Sequence, residues 1–269
     1  YINTTVAQLF YTSNLGHDLA SYIYSLNKYS LSDNFQQHNF GHGGADNGGT
    51  IANAQDGSGF NNVNFMTPPD RLNGRTRMYL WNIAIPCRDG ALEVGIVIDK
   101  LSCSLRTRLT GGPANSGRLG WGESGGMGDG WGDLLATTMA ANRPNGIRNF
   151  PYFLDEDVNP STYKTLGKPG YWGVDAIGKV WAEILWVVSQ GVIEKHGFSN
   201  TLFHPKPLAD GMATSTARTR RVRWCPSMGT PLWCRPSFFD ARDAIIQVDQ
   251  ALTGGENFYL LWTGFARAG

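Results

Sequence analysis

Residues 95–133 read GIVIDKLSCSLRTRLTGGPANSGRLGWGESGGMGDGWGD, and the rest of the chain is arranged around this stretch. An apolar run that starts just before it, at Leu92, carries a polar cluster at residues 99–103. A Gly-rich loop follows, and a second segment opens with Asp129 and continues to Asp133. Two polar clusters in two apolar helices, joined by a long loop, are typical of a functional site.

The composition predicts a folded globular protein. Its 269 residues are enough for one large domain or two lobes. Hydrophobic residues make up 41% and charged residues 17%, which argues against disorder. Because the formal net charge is only +1, we expect neither nucleic acid nor a membrane as a partner. No stretch approaches the roughly 18 uninterrupted apolar residues of a membrane span.

The cysteines and the first residue bear on processing and compartment. The chain starts at Tyr1 rather than Met, so we expect a processed or trimmed product. Its four cysteines (Cys87, Cys103, Cys225 and Cys234) permit one or two disulfides, too few for a disulfide scaffold. Cys225 and Cys234 are near enough in sequence to close a small loop, and buried thiols are the alternative.

Apolar periodicity predicts where the secondary structure lies. The best strand candidate covers 77–85, and a second covers 51–54. Helices are predicted over 3–27, 176–188 and 237–252, the last N-capped by Ser237, followed by an apolar run at 258–265. Helices therefore dominate the second half of the chain, and strands belong to the first half.

One stretch differs from the rest in composition. Residues 207–233 have little apolar periodicity, and they contain a basic cluster of Arg218, Arg220, Arg221 and Arg223. This cluster could bind an anionic partner. We favour a solvated loop, because the run of charge is isolated.

Six long strings of residues carry a resemblance to a known family. They are QLFYTSNLGHDL at 8–19, NFQQHNFGHGG at 34–44, IANAQDGSGFNN at 51–62, RLTGGPANSGRLGWGESGGMGDGWGDL at 108–134, NPSTYKTLGKPGYWGVDAIGKVWAEILW at 159–186 and PSFFDARDAIIQVDQALTGGENF at 236–258. They resemble the fungalysin family of secreted fungal zinc metalloendopeptidases, relatives in fold of the thermolysin-like enzymes. The resemblance covers nearly the whole chain.

The resemblance implies a fold, a compartment and partners. The implied fold is α+β and two-lobed, as in thermolysin-like metallopeptidases. A mixed α/β N-terminal lobe with the central active-site helix would cover 1–110, and a mainly helical C-terminal lobe would cover 111–269. The family is extracellular, and a removed propeptide would agree with Tyr1 at the start. The implied partners are an extended peptide or protein substrate and the chain's own cleaved propeptide.

The family signature is His-Glu-x-x-His on the central helix, with a glutamate zinc ligand on the next helix. Residues i and i+4 share a helix face, so the two imidazoles can bind one Zn²⁺ while the glutamate activates a metal-bound water. The pentapeptide at this position here is Asp99-Lys100-Leu101-Ser102-Cys103. By the same resemblance the third ligand position falls on Asp129. The carboxylate that would orient a ligand falls on Asp133, and the histidine that steadies the oxyanion falls on Asp175.

These replacements change the expected chemistry. Asp99, Cys103 and Asp129 could still bind zinc, because carboxylate and thiolate are accepted ligands. Lys100, at the general-base position, has three donors and no acceptor while charged, so it cannot take a proton from water. Asp175 would repel the oxyanion. We therefore expect this chain to be a catalytically impaired or inactive copy, a pseudoenzyme.

The sequence also suggests what replaces the metal. We hypothesise that Lys100 partly fills the role of the cation through an ion pair with Asp129, leaving the site free of metal. The alternative is that Lys100 extends its ammonium into solvent.

Binding could outlast catalysis. The strand Met78–Trp81 (Met78, Tyr79, Leu80 and Trp81) corresponds to the strand that pairs with substrate backbone in the family, which is recognition by strand addition. One rival interpretation is an active secreted zinc endopeptidase with variant ligands or misassigned residues. The other is a non-enzymatic peptide- or glycan-binding module that uses exposed tryptophans.

Overall fold

The computed structural model describes residues 1–27, 35–39, 44–110, 117–139, 150–197 and 235–268. It combines long helices with small sheets, so the predicted α+β class is confirmed at that level. The chain divides into two compact units. The first unit is Tyr1–Arg118 with Leu135–Ala141, and the second unit is Leu119–Leu134 with Asn142–Gly269.

The elements have the following bounds. The helices are α1 (Ile2–Asn27), α2 (Val94–Leu109), α3 (Gly122–Met139), α4 (Val174–His196), α5 (Phe238–Thr253) and α6 (Phe258–Ala268), with short 3-10 turns at Gly90–Leu92 and Tyr163–Gly167. The strands are β1 (Ile51–Asn53), β2 (Val63–Met66), β3 (Arg75–Met78), β4 (Leu80–Trp81) and β5 (Arg88–Asp89).

The first unit is a small sheet packed on two helices. The sheet order is β1-β3-β2, with β3 parallel to β1 and antiparallel to β2. α2 packs against α1 and against the sheet. Leu9, Val63, Met78 and Val97 are buried together there. Burying an aliphatic side chain contributes about 1.5–3 kcal/mol, so this shared core fixes α2 on the sheet.

The strand prediction over 77–85 is only partly correct. β3 ends at Met78 and β4 ends at Trp81, and β4 pairs with β5 in a separate two-stranded sheet. Ile83 and Ile85 lie outside the strands and are 72% and 97% exposed. The amide groups of Asn82 and Ile83 donate to the side chain of Asn61 at 2.9 and 3.1 Å. Because a side chain takes these amides, the ladder cannot extend past Trp81.

The second unit is built around α4. α6 packs along it, and the indole of Trp181 is fully buried. The rings of Trp131, Phe238 and Phe265 surround Trp181 at centroid distances of 6.0, 4.6 and 6.2 Å. α4 is also long and apolar enough to cross a membrane by length and composition, but it is mostly buried, as a core helix is.

The glycines of the opening stretch lie in a helix. The sequence predicted a segment that opens at Asp129, whereas α3 begins seven residues earlier, at Gly122. A Cβ on Gly130 would lie 2.4 Å from the carbonyl oxygen of Gly178, and a Cβ on Gly126 would lie 2.2 Å from Ile177. The missing side chains let α3 and α4 approach closely, and this packing offsets the low helix propensity of glycine.

The prediction for 237–252 is confirmed. The hydroxyl of Ser237 accepts a hydrogen bond from the amide of Asp240, whose side chain in turn accepts from the amide of Ser237, so the cap is reciprocal. The helix ends at Thr253, and the capping residue that follows, Gly254, has a φ of 74°. The predicted Cys225–Cys234 pairing and the arginine cluster within 207–233 lie outside the described residues.

Candidate functional site

α2 positions the first polar cluster of the sequence. Ile96, Val97 and Ile98 are buried at its start and hold this part of the helix against the core of the first unit. The next residue, Asp99, is also buried, with a side chain only 8% exposed. A carboxylate held in this way must be compensated locally, because burying an isolated charge is costly.

Asp99 and Cys103 meet one turn apart. The thiol of Cys103 lies 3.8 Å from Oδ1 of Asp99. Two donors that share a tetrahedral zinc at the usual Zn–O and Zn–S bond lengths lie about 3.6 Å apart. The i, i+4 spacing therefore gives this pair nearly the separation of a metal chelate, although both residue types differ from histidine.

Lys100 makes an ion pair with its own neighbour. Its ammonium lies 2.9 Å from Oδ2 of Asp99, and its side chain is 19% exposed. Consecutive helix positions point about 100° apart, so this contact requires the lysine side chain to fold back across the helix. The alternative that Lys100 extends into solvent is not what the structure has. Within the first unit, the ion pair described for Lys100 is with Asp99. The hypothesised ion pair of Lys100 with Asp129 stays a hypothesis.

α2 does not fit a catalytic zinc centre. Asp99 and Cys103 offer a chelating pair, but the carboxylate of Asp99 already compensates a positive charge at 2.9 Å. The residue between them in the motif, Lys100, has no lone pair to accept a proton from water while it is charged. The position between the two donors is thus held by a group that donates hydrogen bonds while it is charged.

In the second unit, Asp129 lies at the crossing of α3 and α4. It is 7% exposed, and its Oδ2 lies 2.8 Å from where a Cβ on Gly178 would be. The glycine of α4 at this crossing, Gly178, therefore does more than let two helices approach each other. It makes room for a buried carboxylate at the crossing.

Asp133, one turn further along α3, has a neutral partner. The hydroxyl of Tyr152 donates to Oδ2 of Asp133 at 2.6 Å. Sequence reasoning missed Tyr152, because it lies in a Pro- and Asn-rich stretch with no periodic signal.

Asp175 lies in the first turn of α4 and is exposed. The amide groups at a helix N-terminus favour an acidic side chain, so the carboxylate suits its place in the fold. It does not suit the chemistry of an oxyanion site, which requires a donor or a positive charge.

The backbone of the predicted peptide-binding strand already makes hydrogen bonds within the first unit. The carbonyl oxygens of Met78, Tyr79 and Leu80 accept from the amides of Asp56, Gly90 and Asn61. The side chains of Met78 and Tyr79 are buried, and those of Leu80 and Trp81 are half-buried. A peptide that pairs with this strand would have to share or displace these bonds.

Glu183 on α4 is a buried acid that sequence reasoning missed. Its Oε2 accepts from the side-chain amide of Asn159 at 2.6 Å and from the backbone of Phe153 at 3.3 Å. Burial raises the pKa of Glu183 to about 8, against the lowering effect of these two donors. A glutamate within the apolar face of a predicted helix was the available signal.

Glu123 joins three elements of the second unit. It accepts from the hydroxyl of Tyr163 at 2.8 Å and from the amide of Phe238, at the start of α5, at 2.9 Å. Burial and this carboxylate raise the pKa of Tyr163 to about 12. Glu123 thus has a structural role in the second unit.

Two large aromatic side chains are exposed ahead of α3 and α4. Trp121 is 76% exposed and Trp172 is 80% exposed. A Cβ on Gly125 would lie 3.0 Å from Val174, so the two helices begin close together. The two indoles therefore belong to the same end of this helix pair.

Comparison with known proteins identifies the relatives of the chain. The family described as Fungalysin metallopeptidase (M36) matches residues 1–269. Extracellular metalloproteinase MEP of Neosartorya fischeri is 45% identical over 287 residues, and the match covers 100% of this chain and 44% of the relative. Extracellular metalloproteinase mep of Aspergillus fumigatus is 44% identical with the same coverage. Extracellular metalloproteinase 10 of Coccidioides posadasii is 43% identical, over 99% of this chain and 44% of the relative.

These matches confirm the resemblance drawn from the sequence strings. The chain spans 44% of the length of these curated relatives, so their names describe longer proteins.

Proposed function

The chain belongs to the fungalysin family of metallopeptidases, and on that premise we propose that it is a secreted member whose peptidase chemistry is lost or strongly impaired. The family reaction is hydrolysis of internal peptide bonds, for which a bound zinc supplies water activation. The relatives are named extracellular, which supports secretion. A thermolysin-like arrangement of an N-terminal lobe over 1–110 and a C-terminal lobe over 111–269 is part of this proposal.

The ion pair of Lys100 with Asp99 carries the proposal. An ammonium 2.9 Å from a carboxylate is favoured in its charged form, and a charged ammonium accepts no proton. The position that needs a general base therefore holds a group that can only donate. Loss of a general base typically lowers the rate by 10²–10⁴-fold.

Asp175 supports the same conclusion independently. At the position assigned to oxyanion stabilisation, a carboxylate would add negative charge where negative charge develops. Removing one oxyanion donor typically costs about 10²–10³ in rate, and a carboxylate adds repulsion to that loss. Both departures lower the rate, so neither compensates for the other.

Peptide binding is the function that could remain. We assign it to Met78, Tyr79, Leu80 and Trp81, which resemble the substrate-pairing strand of the family. The chain's own propeptide is a second candidate ligand for the same strand. In the rival interpretation the chain is an active endopeptidase, and Asp99, Cys103 and Asp129 would bind its zinc.

A second candidate function rests on the exposed tryptophans. Sugar rings stack on exposed aromatic faces, and Trp121 and Trp172 lie at the same end of two packed helices. A glycan array with the double variant Trp121→Ala/Trp172→Ala tests this candidate. Loss of a glycan signal in that variant would favour it, and a wild-type protein that binds no glycan would eliminate it.

The experiment for the main proposal compares hydrolysis with binding. The purified protein is incubated with casein in the presence of zinc, with and without a chelator, and peptide binding is followed separately by fluorescence. We expect binding of an extended peptide and no chelator-sensitive hydrolysis. Hydrolysis that a chelator abolishes would overturn the proposal in favour of an active endopeptidase with variant ligands.

A further inference from the structure

The cluster Asp99–Lys100–Cys103 on α2 can be considered as a cation site in its own right. Asp99 is the acceptor at its centre, with Lys100 at 2.9 Å from one oxygen and Cys103 at 3.8 Å from the other. Both oxygens of the carboxylate thus face a donor on the same helix. A metal ion bound at this position would contact the same carboxylate that Lys100 contacts.

The burial of the pair shows that the contact is structural. The side chain of Asp99 is 8% exposed and that of Lys100 is 19% exposed. Surface ion pairs contribute little, because water solvates both partners equally well when they separate. A pair this far out of water behaves differently, since removing the ammonium takes a compensating charge away from a carboxylate that stays buried.

The charge balance follows from the same three residues. A carboxylate and an ammonium cancel, and a protonated thiol adds no charge. A divalent metal at this carboxylate would meet the positive charge of Lys100, which lies 2.9 Å from the same carboxylate. Lysine at this position therefore does two things: it compensates Asp99 and it opposes a second cation.

We propose that the ammonium of Lys100 replaces the charge of the metal on α2, so that the protein is stable without zinc and α2 takes up zinc only when Lys100 is removed. The inference deepens the proposed loss of catalysis and rests on it for the identity of the position. The ligand exposed by removing Lys100 is the Asp99/Cys103 pair, which suits a divalent metal that accepts both oxygen and sulfur, such as Zn²⁺.

The test is thermal unfolding of the purified protein with a chelator, with added zinc, or with neither. For the wild type we expect the same Tm in all three conditions. For Lys100→Gln we expect a Tm lower by roughly 5–10 °C in the chelator, because the buried carboxylate of Asp99 loses the ammonium 2.9 Å away. Added zinc should then raise the Tm of this variant.

Further variants separate the proposal from general damage. Lys100→Gln/Cys103→Ser should lose the response to zinc, because one donor of the chelate is gone. The Tm of Lys100→Arg should lie closer to the wild-type Tm than the Tm of Lys100→Gln does, because arginine keeps the positive charge. Lys168→Gln makes the same chemical change at an exposed lysine and should behave as the wild type does.

Two results would overturn the inference. One is a wild-type Tm that falls in the chelator or rises with zinc, a comparison that needs no variant to fold. The other is a Lys100→Gln protein with the wild-type Tm and no response to zinc. Neither result depends on hydrolysis, so a failure here is distinguishable from a failure of the proposed loss of catalysis, which the casein assay measures.

Discussion

On α2 the buried carboxylate of Asp99 faces an ammonium, whereas Asp133 on α3 and Glu183 on α4 accept hydrogen bonds from neutral groups. Asp133 accepts from the hydroxyl of Tyr152, and Glu183 accepts from the amide of Asn159. One region therefore compensates an acid with a full positive charge, and the other uses hydrogen bonds and, at Glu183, a bound proton. The difference predicts that the two regions respond differently to substitution and to pH.

The largest effect is expected at the helix crossing in the second unit. Gly130→Ala would place a Cβ 2.4 Å from the carbonyl oxygen of Gly178, and backbone atoms cannot yield as a flexible side chain can. We expect a loss of about 3 kcal/mol or more in the free energy of unfolding, measured by urea denaturation. Gly167→Ala, where a Cβ meets nothing within 4 Å, is the matched control. A Gly130→Ala protein as stable as that control would show that the crossing does not depend on this close approach.

Another cation of α2, which is buried and donates to backbone carbonyl groups, sharpens the comparison in the first unit. Arg108 is fully buried, donates to the carbonyl oxygens of Pro68, Pro69 and Leu72, and lies 3.7 Å from the ring centroid of Phe35. We expect Arg108→Met to cost about 3 kcal/mol, because three carbonyl groups lose a charged donor.

The control for Arg108 is Arg88→Gln, a change at an exposed arginine of the same unit, which should stay within about 0.5 kcal/mol of the wild type in the same denaturation assay. If both substitutions cost the same, the buried arginine does not anchor the loop at residues 68–72.

The pH dependence of stability separates the proton-bound acid from the ion-paired acid. The pKa of Glu183 is raised from 4.5 to about 8, so the folded chain keeps a proton that the unfolded chain has lost. This stabilisation is complete below about pH 4.5 and disappears as pH rises through about 8, at up to about 1.4 kcal/mol per pH unit. Between pH 5 and 7 we expect a loss of about 2 kcal/mol.

Glu183→Gln should remove this part of the pH dependence, because an amide keeps the acceptor oxygen and does not titrate. Urea denaturation of both proteins at several pH values measures it. A wild-type stability that rises over pH 5–7, with the variant following the same curve, would show that Glu183 is not the source.

The smallest effect is expected at Asp133. Tyr152→Phe removes the hydroxyl that lies 2.6 Å from its carboxylate and leaves the ring in place, so we expect a loss of about 1.5 kcal/mol. Tyr171→Phe is a control of the same chemistry on a half-buried tyrosine of the same unit. If the two variants have the same Tm, the hydroxyl of Tyr152 does not stabilise this region through Asp133.

Local signals in the sequence were enough to predict α1, α4 and the N-cap of α5. α1, α4 and the capped start of α5 follow from apolar spacing and from Ser237, because these signals act within one or two turns. The start of α3 did not follow, because the helix propensity of glycine opposes it. The close approach of Gly126 and Gly130 to α4, about 50 residues further along the chain, accounts for that helix.

The sequence predicted the positions of the candidate site residues better than the contacts that their side chains make. The resemblance assigned Asp99, Lys100 and Cys103 to motif positions, but it did not indicate that Lys100 would turn back to the adjacent residue. Tyr152 and Glu183 were missed because their partners are 19 and 24 residues away. Such contacts depend on tertiary packing, which single-sequence patterns do not contain.

The zinc content of the wild-type protein tests the central claim most directly. The protein is equilibrated with zinc, freed of unbound metal by gel filtration, and analysed for zinc and protein in the same sample. Because Lys100 already compensates Asp99, we predict a zinc content far below one equivalent per chain. A full equivalent of zinc retained by the wild-type protein would contradict the account.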